Sequence, residues 1–240
     1  MTTFVLLHGG AAGAWIWKYS ADLLRQRGHE VHTVTFTGFA ERRHLVSPAS
    51  TVETHVVDVL NAMEFADIDD GVLVAHSYGG AVAPGVLAAA PQRIRRVVYL
   101  DALVVRQGES VAEAMGYMSA DQARGVAAGV RAGLIPIYSP VAEQQRAEAK
   151  EKPYLMSAER QAWMLAHLST MPTIAAAGSV AVGAEAIKAP VDYIAVSDTV
   201  MKPMHERARK LGWKVREVKG DHAILVGDPE TTVNLLEQPG

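Results

Sequence analysis

Residues 71–80 read GVLVAHSYGG, and this stretch decides the fold. Its first five residues are apolar or small, which is typical of a buried strand, and the small residues after Ser77 suit a closely packed helix. The segment AHSYG at 75–79 matches the motif G-x-S-x-G, with alanine in the first small position. A strand, a sharp turn and a helix are therefore predicted, with the hydroxyl of Ser77 presented at the turn. An ordinary strand-to-helix turn is the alternative interpretation.

Apolar runs of strand length alternate with helical patterns along the rest of the chain. Strands are predicted at 4–7, 30–36, 72–76, 96–101, 191–196 and 213–218, and helices at 15–27, 51–63, 78–90, 203–211 and 229–237. The strands are rich in valine, isoleucine and leucine, which is typical of a parallel sheet covered on both faces. This order predicts an α/β fold with a doubly wound, mostly parallel sheet that binds its ligands at the carboxyl ends of the strands.

The segment 104–189 interrupts this alternation. It is mostly helical by pattern, holds no convincing core strand and carries several methionine and aromatic residues. We therefore expect one domain over 1–240 with a helical cap at 104–189, inserted before the last two strands of the sheet. Most apolar cap residues are expected to pack the cap onto the body, and a few to line a ligand pocket. The candidates for ligand contact in the cap are Tyr154, Trp163, Met164 and His167.

Composition limits the class of partner. The chain has 240 residues, of which 49% are hydrophobic and 20% charged, and a formal net charge of -3, so a basic surface for nucleic acid is not expected. No apolar run approaches the length that spans a bilayer, and no secretion signal is expected. With no cysteine, disulfides and thiolate catalysis are excluded. We expect a cytoplasmic protein with a small-molecule substrate and no nucleic-acid or membrane partner; the oligomeric state is left open, and a homodimer is compatible with the sequence.

A serine on such a turn needs a base that takes its proton. Among nine histidines, His222 stands out because it follows the last predicted strand in the short segment KGDH at 219–222. The predicted architecture returns this loop to the edge of the sheet where Ser77 lies. Other histidines are assigned structural roles: His205 is expected on a helix surface, and His8 is expected to hold the glycine-rich loop after the first strand.

A carboxylate is needed to hold the other imidazole nitrogen, because it fixes the tautomer and stabilises the imidazolium that forms. Two aspartates lie at the carboxyl end of a predicted strand, Asp198 after 191–196 and Asp101 at the end of 96–101. Asp198 is preferred, because it gives the chain order serine, acid, histidine and its strand is directed toward the last loop. Asp101 stays the alternative, and Asp221 is interpreted as a loop-closing residue.

Backbone amides are the third requirement, since an attacked carbonyl develops negative charge on its oxygen. The segment LHGGA at 7–11 directly follows the first strand, and its glycines allow amides to turn toward a substrate. The amides of Gly10 and Tyr78 are therefore the candidate oxyanion hole. This chemistry requires no metal and no organic cofactor.

Several motifs together resemble the α/β-hydrolase superfamily: FVLLHGGAAGAWIW at 4–17, RGHEV at 27–31, AHSYGG at 75–80 and GDH at 220–222. More narrowly, they are similar to the branch that holds plant methylesterases, hydroxynitrile lyases and bacterial esterases, among them the carbendazim hydrolases. The likeness covers the body, whereas the cap matches only in length and character. It implies the α/β-hydrolase fold, a triad of Ser77, Asp198 and His222, and an oxyanion hole formed by Gly10 and Tyr78.

The resemblance also implies a reaction. Hydroxynitrile lyases of this branch have a substrate-touching threonine at the position of Gly9 and a lysine at that of Ala223, so the residues found here favour hydrolysis. Gly9 becomes a further candidate for substrate contact. We expect a serine hydrolase that cleaves a small, aromatic carboxylic methyl ester, or a methyl carbamate such as carbendazim, through an acyl-enzyme. A hydroxynitrile lyase, an acyl thioesterase and a non-catalytic small-ligand receptor on a hydrolase scaffold are the alternatives.

Overall fold

A six-stranded sheet forms the centre of the protein, and the computed structural model describes residues 1–238. The first part of the body consists of β1 (Thr3–Leu7), α1 (Lys18–Gln26), β2 (Glu30–Val34), α2 (Val52–Phe65), β3 (Gly71–His76), α3 (Gly79–Ala89) and β4 (Ile94–Leu100). An insertion follows, with α4 (Val111–Ala114), α5 (Ala120–Arg131), β5 (Tyr138–Ser139), α6 (Val141–Glu151), α7 (Ala158–His167), β6 (Met171–Pro172) and α8 (Thr173–Ala177). The body is completed by β7 (Val191–Asp198), α9 (Lys202–Lys210), β8 (Lys214–Asp221), α10 (Ile224–Gly227) and α11 (Pro229–Glu237).

The strand order of the main sheet is β2-β1-β3-β4-β7-β8, and every pairing in it is parallel. Buried apolar residues cover both faces, as the valine- and leucine-rich strands predict. The order reverses between β1 and β3, because β2 lies on one side of β1 and the later strands lie on the other. Ligands of open α/β sheets bind at such a point, and the loops after β1 and β3 meet there. The predicted doubly wound α/β fold is confirmed.

The ends of the strands differ from the prediction in one consequential way. Strand β7 continues through Asp198 instead of ending at residue 196, and β8 continues through Asp221. A register shift between Val196 and Asp198 accompanies this extension. The side chain of Asp198 is consequently placed by the strand and not by the turn after it.

The insertion between β4 and β7 is helical, as expected. Its only sheet within residues 1–238 is the two-residue antiparallel pair of β5 and β6. Helices α4 and α5 begin with capping boxes, in which Ser110 pairs with Glu113 and Ser119 with Gln122. The limits 104–189 stay a prediction. Over the same described residues, no helix combines the length and apolar character needed to cross a membrane.

Candidate functional site

Ser77 lies between β3 and α3 on a strained turn. Its φ angle is 51°, in the left-handed region that side chains other than glycine rarely occupy. Leu103 N–H donates to the carbonyl of Ser77 at 2.9 Å, which ties the turn to the chain after β4. A strained conformation held by its surroundings is typical of functional residues.

Two glycines allow α3 to follow this turn at close range. A Cβ atom on Gly79 would lie 2.9 Å from Cβ of Leu7, and one on Gly80 would lie 2.3 Å from the carbonyl oxygen of Leu103. Any larger side chain would push α3 away from β1 and from the segment after β4. The small residues of the motif are therefore required by packing.

The glycine-rich loop after β1 lies against the turn and is held by His8. Nδ1 of His8 lies 2.7 Å from the carbonyl oxygen of Gly9, and Phe36 N–H donates to Nε2 at 3.1 Å. Because the carbonyl can only accept, Nδ1 carries the proton. Burial lowers the pKa of His8 to about 3, so the ring is neutral. The predicted structural role of His8 is confirmed.

The amides of Gly10 and Tyr78 are the predicted oxyanion hole. Neither amide donates a hydrogen bond to another protein atom in the described part of the chain. The Tyr78 side chain is buried, and its hydroxyl donates to Nδ1 of His55 at 2.8 Å, since Nε2 of His55 donates to the carbonyl of Thr37 at 2.9 Å. This anchor fixes the residue that follows Ser77. The catalytic use of both amides stays a prediction.

His222 is oriented by Asp101. Nδ1 of His222 lies 2.7 Å from Oδ2 of Asp101, and because the carboxylate can only accept, this nitrogen carries the proton. The tautomer therefore leaves Nε2 of His222 unprotonated when the ring is neutral, which is what a general base requires. Asp101 itself follows β4 directly and has a φ angle of 43°.

Asp101 is completely buried and receives three side-chain donors. His222 and Thr199 donate to Oδ2, the latter at 2.6 Å, and His205 donates to Oδ1 at 2.7 Å. Burial by itself would raise the pKa of Asp101, but the hydrogen bonds from His205, His222 and Thr199 outweigh it and hold the pKa well below the usual range. The carboxylate is therefore ionised at neutral pH.

Asp198, the preferred acid in the sequence analysis, does not contact His222. Its carboxylate pairs with Lys152 of the cap, and its side chain is 41% exposed. Because β7 continues to this residue, the side chain projects from the strand toward solvent. The structure places Asp101, and not Asp198, against His222, and the turn after β7 supplies Thr199 as a donor to Asp101.

The backbone carbonyl of His222 also accepts a hydrogen bond, in addition to the one that its ring makes. Nε2 of His76 lies 2.9 Å from this oxygen and donates to it. Burial, with a smaller contribution from the neighbouring His222, lowers the pKa of His76 to about 3, so His76 is neutral. Asp221 closes the same loop as predicted, since its carboxylate accepts from the amides of Leu155 and Ala223.

Ser77 and His222 line one cavity beneath the cap. Its wall consists of Gly9, Gly10, Ala12, Ile16, His76, Ser77, Gln145, Tyr154, Met164, Leu168, His222, Ala223 and Leu225. A hydrogen bond between the Ser77 hydroxyl and His222 is not among the contacts of residues 1–238. The volume is about 40 Å³, well below the range of about 300–1,000 Å³ for ligand pockets. A ligand of ordinary size must therefore displace part of this wall.

Three of the five residues predicted to contact substrate line this cavity, namely Gly9, Tyr154 and Met164. Trp163 and His167 do not. Their rings pack against each other at an angle of 41°, with centroids 4.8 Å apart, and Trp163 also packs edge-on against Trp15 at 5.5 Å. This aromatic cluster joins the cap to the body. Gln145 and Leu168 are wall residues that the sequence analysis missed, since no motif marks them.

A larger open groove of about 590 Å³ runs along the cap between α6 and α7. It is lined by Arg146, Ala149, Lys150, Pro153, Gln161, Leu165 and Ala166, and holds none of the predicted catalytic residues. Within the described residues, no group of three or more histidine, aspartate or glutamate side chains is arranged to hold a metal ion. The cavity beneath the cap is therefore the candidate active site.

Comparison with known proteins identifies the family. Residues 4–235 match the model of a family described as "Alpha/beta hydrolase family". The chain is 46% identical over 111 residues to the carbendazim hydrolyzing esterase of Nocardioides sp. (strain SG-4G), which is 46% of each chain. It is 30% identical over 108 residues to putative methylesterase 11, chloroplastic, of Arabidopsis thaliana, covering 45% of this chain and 28% of that protein. The matched segments thus span less than half the length of these relatives.

A solved structure shows the same fold. It is an extracellular alpha/beta-hydrolase from a Paenibacillus species, described as sharing structural and functional homology with tobacco salicylic acid binding protein 2. The TM-score is 0.74 at 23% identity, with 98% of both chains covered. At this identity the likeness concerns the fold alone.

Proposed function

Because this chain belongs to the alpha/beta hydrolase family, we propose that it is a serine esterase, with Ser77 as nucleophile, His222 as base and Asp101 as the orienting acid. The observation that carries the proposal is the contact of 2.7 Å between His222 Nδ1 and the buried carboxylate of Asp101. It gives the imidazole the tautomer of a base, in the cavity that Ser77 lines on its strained turn.

The reaction follows from the roles of these groups. His222 takes the proton of Ser77, whose oxygen attacks an ester or carbamate carbonyl. The amides of Gly10 and Tyr78 stabilise the negative oxygen that forms. His222 then donates the proton to the leaving group, and water attacks the acyl-enzyme by the same route. Every step uses groups of this chain and one water molecule.

The proposed substrates are small aromatic methyl esters and methyl carbamates. The name of the Nocardioides relative supports the carbamate. The cavity wall is mainly apolar, with Ile16, Met164, Leu168 and Leu225, which suits a flat apolar group. A carbamate carbonyl is less electrophilic than that of a simple ester, so its cleavage depends more strongly on the oxyanion hole.

Two features argue against cyanide release. Within the described chain, none of the residues that line the cavity is a lysine or an arginine, and Ala223 stands beside His222. At Gly9, a Cβ atom would lie only 2.8 Å from Cβ of Ser77. A threonine at this position, as in the lyases, does not fit without displacing the nucleophile.

Gly9→Thr is expected to lower kcat/KM for p-nitrophenyl acetate by about 100-fold, because a displacement of the nucleophile by about 1 Å has such an effect. Gly125→Thr is the matched control, since a Cβ atom on Gly125 meets nothing within 4 Å. It should leave kcat/KM unchanged. Steady-state kinetics of the wild type and the two variants measure both effects. Full activity in Gly9→Thr would contradict the packing argument.

The variants Met164→Ala and Trp163→Ala should distinguish a residue of the cavity wall from a residue of the aromatic cluster. Met164 lines the cavity, so its truncation should change KM for aromatic methyl esters. Trp163 packs outside it on Trp15 and His167, so its truncation should lower the free energy of unfolding by about 2 kcal/mol with KM unchanged. Kinetics and denaturant unfolding measure both effects. A changed KM in Trp163→Ala alone would reverse the assignment.

A substrate panel tests the proposed function itself. p-Nitrophenyl esters, aromatic methyl esters, methyl benzimidazole carbamate, a pantetheine thioester and mandelonitrile are incubated with the protein, and products are identified by mass spectrometry. We expect hydrolysis of esters or the carbamate and no cyanide. Cyanide release without ester cleavage would support a lyase, and preference for the thioester would support a thioesterase.

A further inference from the structure

A second histidine donates a hydrogen bond to the oxygen of Asp101 that His222 does not contact. Nε2 of His205 lies 2.7 Å from Oδ1, whereas Nδ1 of His222 lies 2.7 Å from Oδ2. Since a carboxylate only accepts, both imidazoles donate an N–H to it. The sequence analysis placed His205 on a helix surface, but the residue is only 6% exposed.

We propose that His205 is a positioning residue for the esterase reaction, which fixes the plane of the Asp101 carboxylate so that Oδ2 faces His222. The proposal rests on the proposed function. Both other side-chain donors, His222 and Thr199, contact Oδ2. These two donors do not hold Oδ1, so the carboxylate can still rotate about its Cβ–Cγ bond. The hydrogen bond from His205 to Oδ1 restrains this rotation.

The position of His205 is itself rigid. It lies in α9, whose Met204 and Ala208 are fully buried. The ring of Tyr193 on β7 packs edge-on against His205 with centroids 5.5 Å apart. Burial, and then the charge of Asp101, raise the pKa of Tyr193 well above its usual value, so the phenol is neutral. The ring of His205 is therefore held between α9 and β7, with Nε2 against Oδ1 of Asp101.

The segment between β7 and β8 holds the carboxylate of Asp101, which follows a different strand. Thr199 and His205 both belong to this segment, and both donate to Asp101 at the end of β4. The sequence analysis assigned the acid itself to this segment, as Asp198. Because Asp101 follows β4, the segment instead supplies Thr199 and His205, which hold this carboxylate.

Kinetics and NMR of His205 variants test the proposal, with p-nitrophenyl acetate as substrate. His205→Ala should lower kcat by about 10- to 100-fold, by analogy with the loss of groups that orient the ligands of a metal ion, with KM nearly unchanged. The acidic limb of the pH profile should move to lower pH, because a carboxylate that turns away from His222 stabilises the imidazolium less. His205→Gln restores an N–H near the position of Nε2 and should recover most of kcat and the original pH profile.

A matched control separates this effect from lost stability. His29 donates to Glu237 at 2.8 Å and lies at the opposite end of the sheet. His29→Ala also removes a histidine–carboxylate contact and should lower Tm without moving kcat or the pH profile. If His205→Ala does not fold, His205→Leu fills the same space without a donor and should show the same changes. A lower Tm with unaltered kcat and pH profile in the His205 variants would overturn the proposal.

The proton resonance of His222 Nδ1–H provides a readout that needs no activity. It is assigned by its loss in His222→Gln. It should move upfield in His205→Ala and return in His205→Gln, whereas an unmoved resonance would overturn the proposal. Absence of hydrolysis in the wild-type protein would contradict the proposed function instead, and the resonance would still decide the role of His205.

Discussion

Ser77→Ala is expected to lower kcat for p-nitrophenyl acetate by about 10⁵- to 10⁶-fold, the size of effect that loss of a serine nucleophile has in comparable enzymes. The physical reason is that, among the described residues, the cavity wall offers one other hydroxyl, the phenol of Tyr154, which belongs to the cap and not to the turn that presents Ser77. Initial rates with the purified variant measure the effect.

The fold of this variant should be preserved, because Ser77 contributes packing only through its Cβ and its backbone. Alanine retains both, and the φ angle of 51° is set by the backbone contacts of the turn. Circular dichroism and Tm should therefore match those of the wild type. A folded Ser77→Ala protein that retains near-normal hydrolysis would exclude the serine mechanism.

Asp101→Asn is expected to lower kcat by about 10⁴-fold, as the same change does in serine proteases. The amide can present an N–H to His222, which then accepts through Nδ1 and carries its proton on Nε2. This tautomer cannot take the proton of Ser77. The buried amide keeps the shape of the carboxylate, so thermal unfolding should show a folded protein.

Asp198→Asn is the matched control for that experiment. Its carboxylate pairs with Lys152 in an exposed position, and exposed ion pairs contribute only about 0–1 kcal/mol to stability. Kinetics and Tm should both stay close to wild type. The opposite pattern, an inactive Asp198→Asn and an active Asp101→Asn, would restore the sequence-based choice of acid.

The sheet, the helices of the body, Ser77 and the loop of His222 follow from local patterns in the sequence. A buried strand with small residues after it specifies the turn. A short loop after the last strand can reach only the edge of the sheet where Ser77 lies. The choice of acid depends on a different property. Asp101 and Asp198 both lie between Ser77 and His222, so the chain order on which the choice of Asp198 relied does not distinguish them.

Side-chain direction at the strand end decides between them. Two further residues of β7 carry Asp198 out to solvent, and the length of a strand end is not encoded in the local apolar pattern. The cap residues that line the cavity cannot be predicted from local pattern either. Trp163 and Met164 are neighbours on α7 that face different surroundings, and only the packing of the helix determines which one lines the cavity.

Rapid-quench mass spectrometry tests the central claim most directly. The protein is mixed with p-nitrophenyl acetate, quenched in acid at times within the first turnover, digested and mapped. We expect one acetyl group on the peptide that contains Ser77, formed with the burst of p-nitrophenol and absent from Asp101→Asn on the same time scale. An acetyl group on another residue, or product formed with no acetylated peptide at any time, would contradict the account.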